Sequence, residues 1–384
     1  MLYKAGMGDD TVAGPLHGVK VLEIGGIGPN PFAAMLLADM GADVLRIDRL
    51  GEAAMFPTKT DVTKRGRASV AVDLRSDDGR ELVIGLAEHA DALIEGYRPG
   101  VMERLGLGPA DLHARNERLV YGRMTGYGQE GPLSSVAGHD INYISIAGAL
   151  GAITRQGDRP LAPLNLVGDY GGGAMFLAFG VVCGILEARG SGHGQVIDAA
   201  MVDGAAVLTS LFYGLRAAGA WFDEPGTNLL DSGAHFYEVY ETSDGGHVAV
   251  GAIEPQFYSR LLELLEVTHE EFPQFDRDRW PEFKTRFAEL FRARTRDEWA
   301  AVLEGEEACA TPVLGFIEAR DHHHNVERGT FVEIDGIVQP AAAPRFGRTP
   351  GAARPARDDS DVVLGEWGVT PDEQARLRSA GSLG

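Results

Sequence analysis

The stretch VKVLEIGGIGPNPFAAMLLADMGADVLRID (residues 19–48) decides the fold. Its first seven residues, VKVLEIG (19–25), are a compact apolar run of the kind a buried parallel strand requires. PFAAMLLADMGA (31–42) spaces its apolar residues as a helix does, with Pro31 at its start and Gly41 at its end. DVLRID (43–48) reads as a second strand. The alternation continues outward through SVAVDL (69–74), a helix opening at Ser76-Asp77-Asp78, DALIEG (91–96) and LVYGRMTGYG (119–128). The expected fold class is α/β, with a large Rossmann-like domain on a parallel, doubly wound sheet and a smaller α+β domain.

The turn Gly26-Ile27-Gly28 follows a strand and precedes a helix, and Asp48 lies about twenty residues on, as in a dinucleotide site. The third glycine of that fingerprint is missing. Pro29 and Pro31 remove N–H donors a pyrophosphate would need, so a glycine turn in a doubly wound sheet is the better reading.

A second unit begins near residue 235. HFYEVYETSDGGHVAVGAI (235–253) reads as two strands around Asp244-Gly245-Gly246. Helical segments follow at 256–267, 279–294 and 295–305, the last opened by a capping box of Thr295 and Glu298. CATPVLGF (309–316) reads as one more strand. The expected division is 1–200 for the first part of the large domain, a linker helix over 201–234, the small domain over 235–318, and a return to the large domain over 319–384. The last thirty or so residues read as irregular and exposed.

The chain of 384 residues carries a net charge of −21, which argues against nucleic acid or an anionic membrane as partner. Two separated cysteines, Cys183 and Cys309, point to a reducing compartment without a disulfide framework or a cysteine metal site. The N-terminus lacks the apolar core of a signal peptide, and SAGSLG at the end is not a peroxisomal address. The uncharged run Tyr170–Leu186 is slightly short for a membrane span and carries three glycines near its start, so a buried helix is expected. These features together suggest a soluble cytoplasmic protein. His322-His323-His324, inside the polar segment RDHHHNVERG, reads as a solvated loop or helix end rather than a metal tract.

Basic residues gather between Arg46 and Arg104: Arg46, Arg49, Lys64, Arg65, Arg67, Arg75, Arg98 and Arg104. A similar number of acids makes this a near-neutral island in an acidic chain. It suits a ligand with several phosphates, since arginine forks onto phosphate oxygens, but a solvated surface explains it as well.

Three motifs carry chemistry: AGHDINYI (137–144), PLNLVGDYGGG (163–173) and GAIEPQFY (251–258). His139 and Asp169 each stand beside glycine, ahead of a helical, apolar run. Removing a proton from one face of a carbon and returning one to the other needs two such groups on separate converging segments. Asp140 is placed to open the helix INYISIAGALGA, whose N-terminus would aim N–H groups at an oxyanion. Asp169 also fits a plain N-cap, and Glu254, ahead of Pro255, a plain first-turn acid.

Together with GVKVLEIGGIGPNPFAAMLLADMGADVLRIDR (18–49), EGYRPGVMERLGLG (95–108) and MTGYGQEGP (124–132), these motifs resemble the α-methylacyl-CoA racemase group of the family III CoA-transferase superfamily. The resemblance runs from about residue 13 to about residue 350. It implies a large Rossmann-like domain, a small domain and an interlocked homodimer, with the active site between the large domain of one subunit and the small domain of the other. It implies His139 and Asp169 as the two bases and Glu254 as the acid bonded to the histidine. It puts Arg49, Arg65, Arg67 and Arg104 at or near the CoA phosphates and adenosine. Val72-Asp73-Leu74 and Tyr97-Arg98 would border the same nucleotide, with Gly138 on the CoA side.

The implied function is an isomerase that interconverts (2R)- and (2S)-2-methylacyl-CoA thioesters by proton transfer through an enolate. Backbone N–H of Asp140 is the candidate donor to the enolate oxygen. No metal or redox cofactor is required, since coenzyme A is part of the substrate. The alternative within the superfamily is a CoA-transferase that uses Asp169 as nucleophile. Such an enzyme needs the aspartate but not a histidine base, so His139 with Glu254 favours the racemase. The apolar stretch LTSLFYGLRAAGAWF (208–222) borders the acyl tail or forms a buried interdomain helix.

Overall fold

A six-stranded sheet organises the computed structural model, which describes residues 14–51 and 60–384. Its strands are β1 (Lys20–Ile24), β2 (Asp43–Arg49), β3 (Ala68–Val72), β4 (Ala92–Glu95), β5 (Val120–Thr125) and β6 (Val196–Ala200). All pairs are parallel, in the order β3-β2-β1-β4-β5-β6. The order reverses between β1 and β4, the switch point where open α/β sheets take ligands. Five strands stand where the apolar runs put them. The sixth, VIDAA, was not anticipated: Val196 and Asp198 are exposed and Ile197 only half-buried, and the aspartate interrupts the continuous apolar signature of the others.

The sheet is covered on both faces because successive side chains point to opposite sides. Leu22, Leu45 and Leu93 enter one core layer. Val21, Val44 and Ala92 enter the other, with Leu177 and Val181. The helix Pro29–Asp39 follows β1. The helix Asp77–Glu88 is capped by Ser76, whose Oγ accepts the Gly79 N–H at 3.0 Å.

The chain forms two compact units. The first takes the chain to Ala147, Leu164–Leu208 and His322–Gly384; the second takes Gly148–Pro163 and Thr209–Asp321. Residues 148–163 thus leave the large domain in which the sequence reading put them. The expected linker helix over 201–234 divides as well. Met201–Leu208 stays with the first unit and Ser210–Ala217 goes with the second.

Three further features differ from the sequence reading or go beyond it. The C-terminal segment is not irregular: it forms the helices Ser360–Glu366 and Pro371–Ser379. Val363, Leu364, Trp367 and Leu377 are buried, a placement that a charged composition conceals, while Val362 is exposed. The end of the chain then covers β3, with the Asp73 N–H donating to the Ser382 carbonyl at 3.0 Å and the Gly384 N–H to that of Ala71 at 2.8 Å. Second, β10 (Phe331–Ile334) and β11 (Ile337–Pro340) form an antiparallel hairpin around Asp335-Gly336, both at positive φ. That Asp-Gly pair is the usual sign of a two-residue hairpin and was overlooked.

Third, the apolar run is not simply a buried helix. Leu166–Ala174 is π-helical and continues as the α-helix Met175–Ser191. Leu177, Val181, Ile185 and Ala188 are buried, while Met175, Phe179, Val182 and Leu186 are exposed. By length and composition Leu166–Ser191 would suffice to cross a membrane, although half of it is buried in the protein.

In the second unit, β7 (Tyr237–Glu241), β8 (His247–Gly251) and β9 (Ala310–Pro312) make an antiparallel sheet. Thr295 and Glu298 form the anticipated capping box, with N–H to carboxylate at 2.8 Å and N–H to hydroxyl at 3.3 Å. The core is aromatic, and burial pushes His235 down to about 3. The imidazole is therefore neutral and bonds the Tyr258 hydroxyl at 2.6 Å.

Candidate active site

The site collects on the first unit around the switch point. Gly28, at φ +69°, ends the turn after β1. A Cβ on it would come within 3.2 Å of an Asp169 carboxylate oxygen, so glycine lets the turn lie against that carboxyl. Phe32, in the helix that follows, stacks on Tyr170 with ring centres 4.1 Å apart.

Asp169 is not an N-cap. It lies within the π-helical stretch Leu166–Ala174, and such bulges concentrate at functional sites. The glycines after it answer to close packing. A Cβ on Gly172 would lie 2.5 Å from the Ala205 backbone nitrogen. The half-buried Asp169 carboxyl is held above its ordinary value, chiefly by burial and further by the Asp140 charge. Asn165 Nδ2, 3.1 Å away, and His139 act in the opposite direction.

His139 is the residue just before the helix Asp140–Ile146, with its side chain exposed. Its N–H donates to Asn142 Oδ1 at 3.0 Å. Tyr143, one turn on, fixes the preceding backbone by donating its hydroxyl to the Gly138 carbonyl. Its ring is wedged between glycines: a Cβ on Gly126 would lie 2.1 Å from Tyr143 Cε1, and one on Gly138 2.7 Å from the same atom. Tyr127 meets it edge-on at 4.9 Å. Burial pushes the phenol up to about 12, so it remains a donor across the physiological range.

Asp140 is buried, and its carboxylate accepts the backbone N–H groups of Gly168 at 2.6 Å and Asp169 at 2.7 Å. Sequence reasoning gave Asp140 a role through its backbone and missed this one. It also missed Asn165, Tyr143 and Gly126. The run MTGYG held the only signal for the last: a glycine beside an aromatic, where backbone and ring approach closely.

Glu254 lies in the second unit as N-cap of the helix Pro255–Leu264, its side chain exposed and its carbonyl accepting the Tyr258 N–H at 3.0 Å.

The arginines separate into two kinds. Arg49 is exposed at the end of β2, and Arg98 and Arg104 are exposed beyond β4. Tyr97, just before Arg98, is half-buried, with its N–H on Glu95 Oε2 at 2.6 Å. Arg65 and Arg67 are buried instead. Arg65 pairs with Asp39 at 2.5 Å and bonds Gln339 and the Pro340 carbonyl. Arg67 pairs with Glu23 at 2.5 Å and bonds the carbonyls of Pro31 and Thr63. Protein acceptors engage both guanidinium groups inside the fold, with Arg67 Nε alone lacking a partner among the described residues. Their acids stand 26 and 44 residues away in sequence, where no local pattern links them. A cavity of about 380 Å³ borders Lys64, Arg65 and Arg67, but Asp61, Asp335 and Asp358 share its wall. Val72 and Leu74 are buried, and the backbone from Ala71 to Asp73 bonds the chain's last residues.

The sequence profile of CoA-transferase family III matches residues 16–358. The chain is 44% identical over 372 residues to the α-methylacyl-CoA racemase of Mus musculus, covering 95% of this chain and 96% of that protein. Against the α-methylacyl-CoA racemase of Homo sapiens it is 42% identical over 373 residues, with the same coverage. A solved structure of a hypothetical protein from Mycobacterium tuberculosis superposes with a TM-score of 0.75 at 27% identity, covering 92% of this chain and 99% of that one. The profile, the full-length similarity and the shared architecture agree, and the chain belongs to CoA-transferase family III.

Proposed function

We propose that the protein is an α-methylacyl-CoA racemase, an isomerase that interconverts the two C2 epimers of 2-methylacyl-CoA thioesters. The observation that carries this reading is an exposed histidine joined through Asp140 to a half-buried aspartate whose carboxyl burial raises, in a chain 42–44% identical to named racemases. The C2 proton is weakly acidic, and the thioester carbonyl takes up the charge as an enolate. In one direction neutral His139 removes the proton and protonated Asp169 delivers one to the opposite face; in the other the roles reverse. A CoA-transferase needs only the aspartate, as nucleophile, so the histidine supplied beside it favours the proton-transfer reading.

The first N–H of the helix, at Asp140, is the proposed donor to the enolate oxygen. Glu254 is proposed to orient the imidazole, on the family pattern. Exposed Arg49, Arg98 and Arg104 are the proposed phosphate contacts, with Tyr97, Gly138 and the Val72–Leu74 segment bordering the nucleotide. Arg65 and Arg67 act by holding the loop before β3. Coenzyme A enters as part of the substrate, and the chemistry calls for no other cofactor. The exposed Met175, Phe179, Val182 and Leu186 support an assembly in which a second copy covers this face, as expected of an interlocked homodimer. A cytoplasmic setting fits the acidic composition.

The test is incubation with one epimer of a 2-methylacyl-CoA in heavy water. Deuterium at C2 with loss of stereochemistry, without added acid, is expected. CoA movement only when a free acid is supplied would identify a transferase instead.

A further inference from the structure

We infer that the Asp140 side chain is a positioning residue that clamps together the two bases of the racemase reading, on which its kinetic consequence rests. Asp140 directly follows His139 and opens its helix. One of its carboxylate oxygens, Oδ2, accepts the N–H groups of both Gly168 and Asp169. A single side chain therefore joins the backbone at the histidine to the backbone at the aspartate. Charge-assisted bonds of this length are among the stronger restraints a protein has. Gly168 is what lets the carboxylate reach, since a Cβ there would lie 2.6 Å from Oδ2.

The clamp also carries charge. The other oxygen, Oδ1, is buried with no hydrogen-bond partner among the described residues. No arginine or lysine pairs with Asp140 among them either. Leaving a buried acceptor open is costly, so its retention calls for a reason. The adjacent Asp169 supplies one: the Asp140 charge helps that carboxyl keep its proton, while His139 and Asn165 oppose it. The remaining elements packed on the π-helical stretch bring few charges. Asp203 of the helix Met201–Leu208 and Glu187 and Arg189 of the helix Met175–Ser191 are exposed. Asp39, at the far end of the first helix, is taken by Arg65. On the strands, Arg123 is taken by Glu95 and Glu103, and Asp198 by the Gln129 N–H.

Asp140→Asn keeps an oxygen able to accept both N–H groups but removes the charge; Asp140→Ala removes both. Aspartate labelled with 13C at the carboxyl, with the Asp169 signal identified by its loss in Asp169→Asn, reads the titration in the resting protein. The Asp169 midpoint is expected to fall in Asp140→Asn, because a neighbouring negative charge has gone. In turnover, the Asp169 limb of the kcat profile should move to lower pH in the same variant. Asp140→Ala should lower kcat about a hundredfold, as misplacement of a reacting group does, with KM changed less than twofold. An unchanged Asp169 midpoint in Asp140→Asn overturns the electrostatic role. Wild-type kcat in Asp140→Ala overturns the clamp; if that variant does not fold, Gly168→Ala, whose Cβ would displace the carboxylate, reads the clamp in its place, and wild-type kcat there overturns it. The titration needs no turnover, so wild-type protein that leaves C2 untouched would sink the racemase reading alone.

Discussion

Two sets of arginines, interleaved in one stretch of chain, live in opposite physical circumstances. Arg46, Arg65 and Arg67 are 5%, 6% and 2% exposed, and Glu23, Asp39 and Asp48 neutralise them. Arg49, Arg98 and Arg104 stand in solvent at or beyond the C-terminal ends of β2 and β4. Arg46 and Arg49 even share a strand. An arginine beneath the sheet's end loses its hydration and must find an acid; three residues on, it is exposed and keeps its hydration. Residue type and neighbourhood in sequence are the same for both sets. Only the partner differs.

The strongest way to break that contrast is Arg67→Met. It leaves Glu23 a buried carboxylate with one cation instead of two, and a loss of about 3–5 kcal/mol is expected. Urea unfolding measures it, and a change under about 1 kcal/mol would show that the buried set is not structural. Gly126→Ala lies outside both sets and tests tight packing without charge. Its Cβ collides with Tyr143, and a loss of about 1–3 kcal/mol is expected in a thermal melt, with reduced racemisation.

Arg98→Ala and Arg104→Ala should do the reverse of Arg67→Met. Stability should stay within about 0.5 kcal/mol, while KM for the acyl-CoA rises about tenfold, or about 1.4 kcal/mol. The increase should shrink as salt screens the wild-type contact. Unchanged KM at every salt concentration would remove these residues from the nucleotide site.

The gentlest effect concerns Glu95, which joins the two settings. It is buried, yet it holds the Tyr97 N–H and Arg123 beside the exposed pair. Burial pushes its carboxyl up to about 7 from an ordinary 4.5. The fold then favours the protonated form, so stability tied to this group is full below about pH 4.5 and declines as pH rises to about 7. Glu95→Gln should flatten that decline in melts followed across pH; an unaltered slope would assign it elsewhere.

The doubly wound half was legible because each central strand is a short apolar run between clear helix signals. The capping box at Thr295 was legible because it is local. His139 and Asp169 stood out through the glycines beside them. What escaped depends on partners distant in sequence. Nothing near Arg67 announces Glu23, and nothing near Asp140 announces the Gly168 N–H. The helices from Ser360 on escaped for another reason: their apolar residues are few, so composition resembles a solvated tail, although Val363, Leu364 and Leu377 are buried.

The outer flank of β3 has one more consequence. Its backbone is met at one end by Arg357, whose N–H bonds the Arg67 carbonyl at 2.8 Å, and at the other by Leu383 and Gly384. Without these segments β3 would offer a bare row of amides and carbonyls, the template on which other chains stack into aggregates. A purification handle fused directly after Gly384 would pull at this cover. A handle separated by a flexible spacer would leave it seated, and yield of soluble protein should differ between the two.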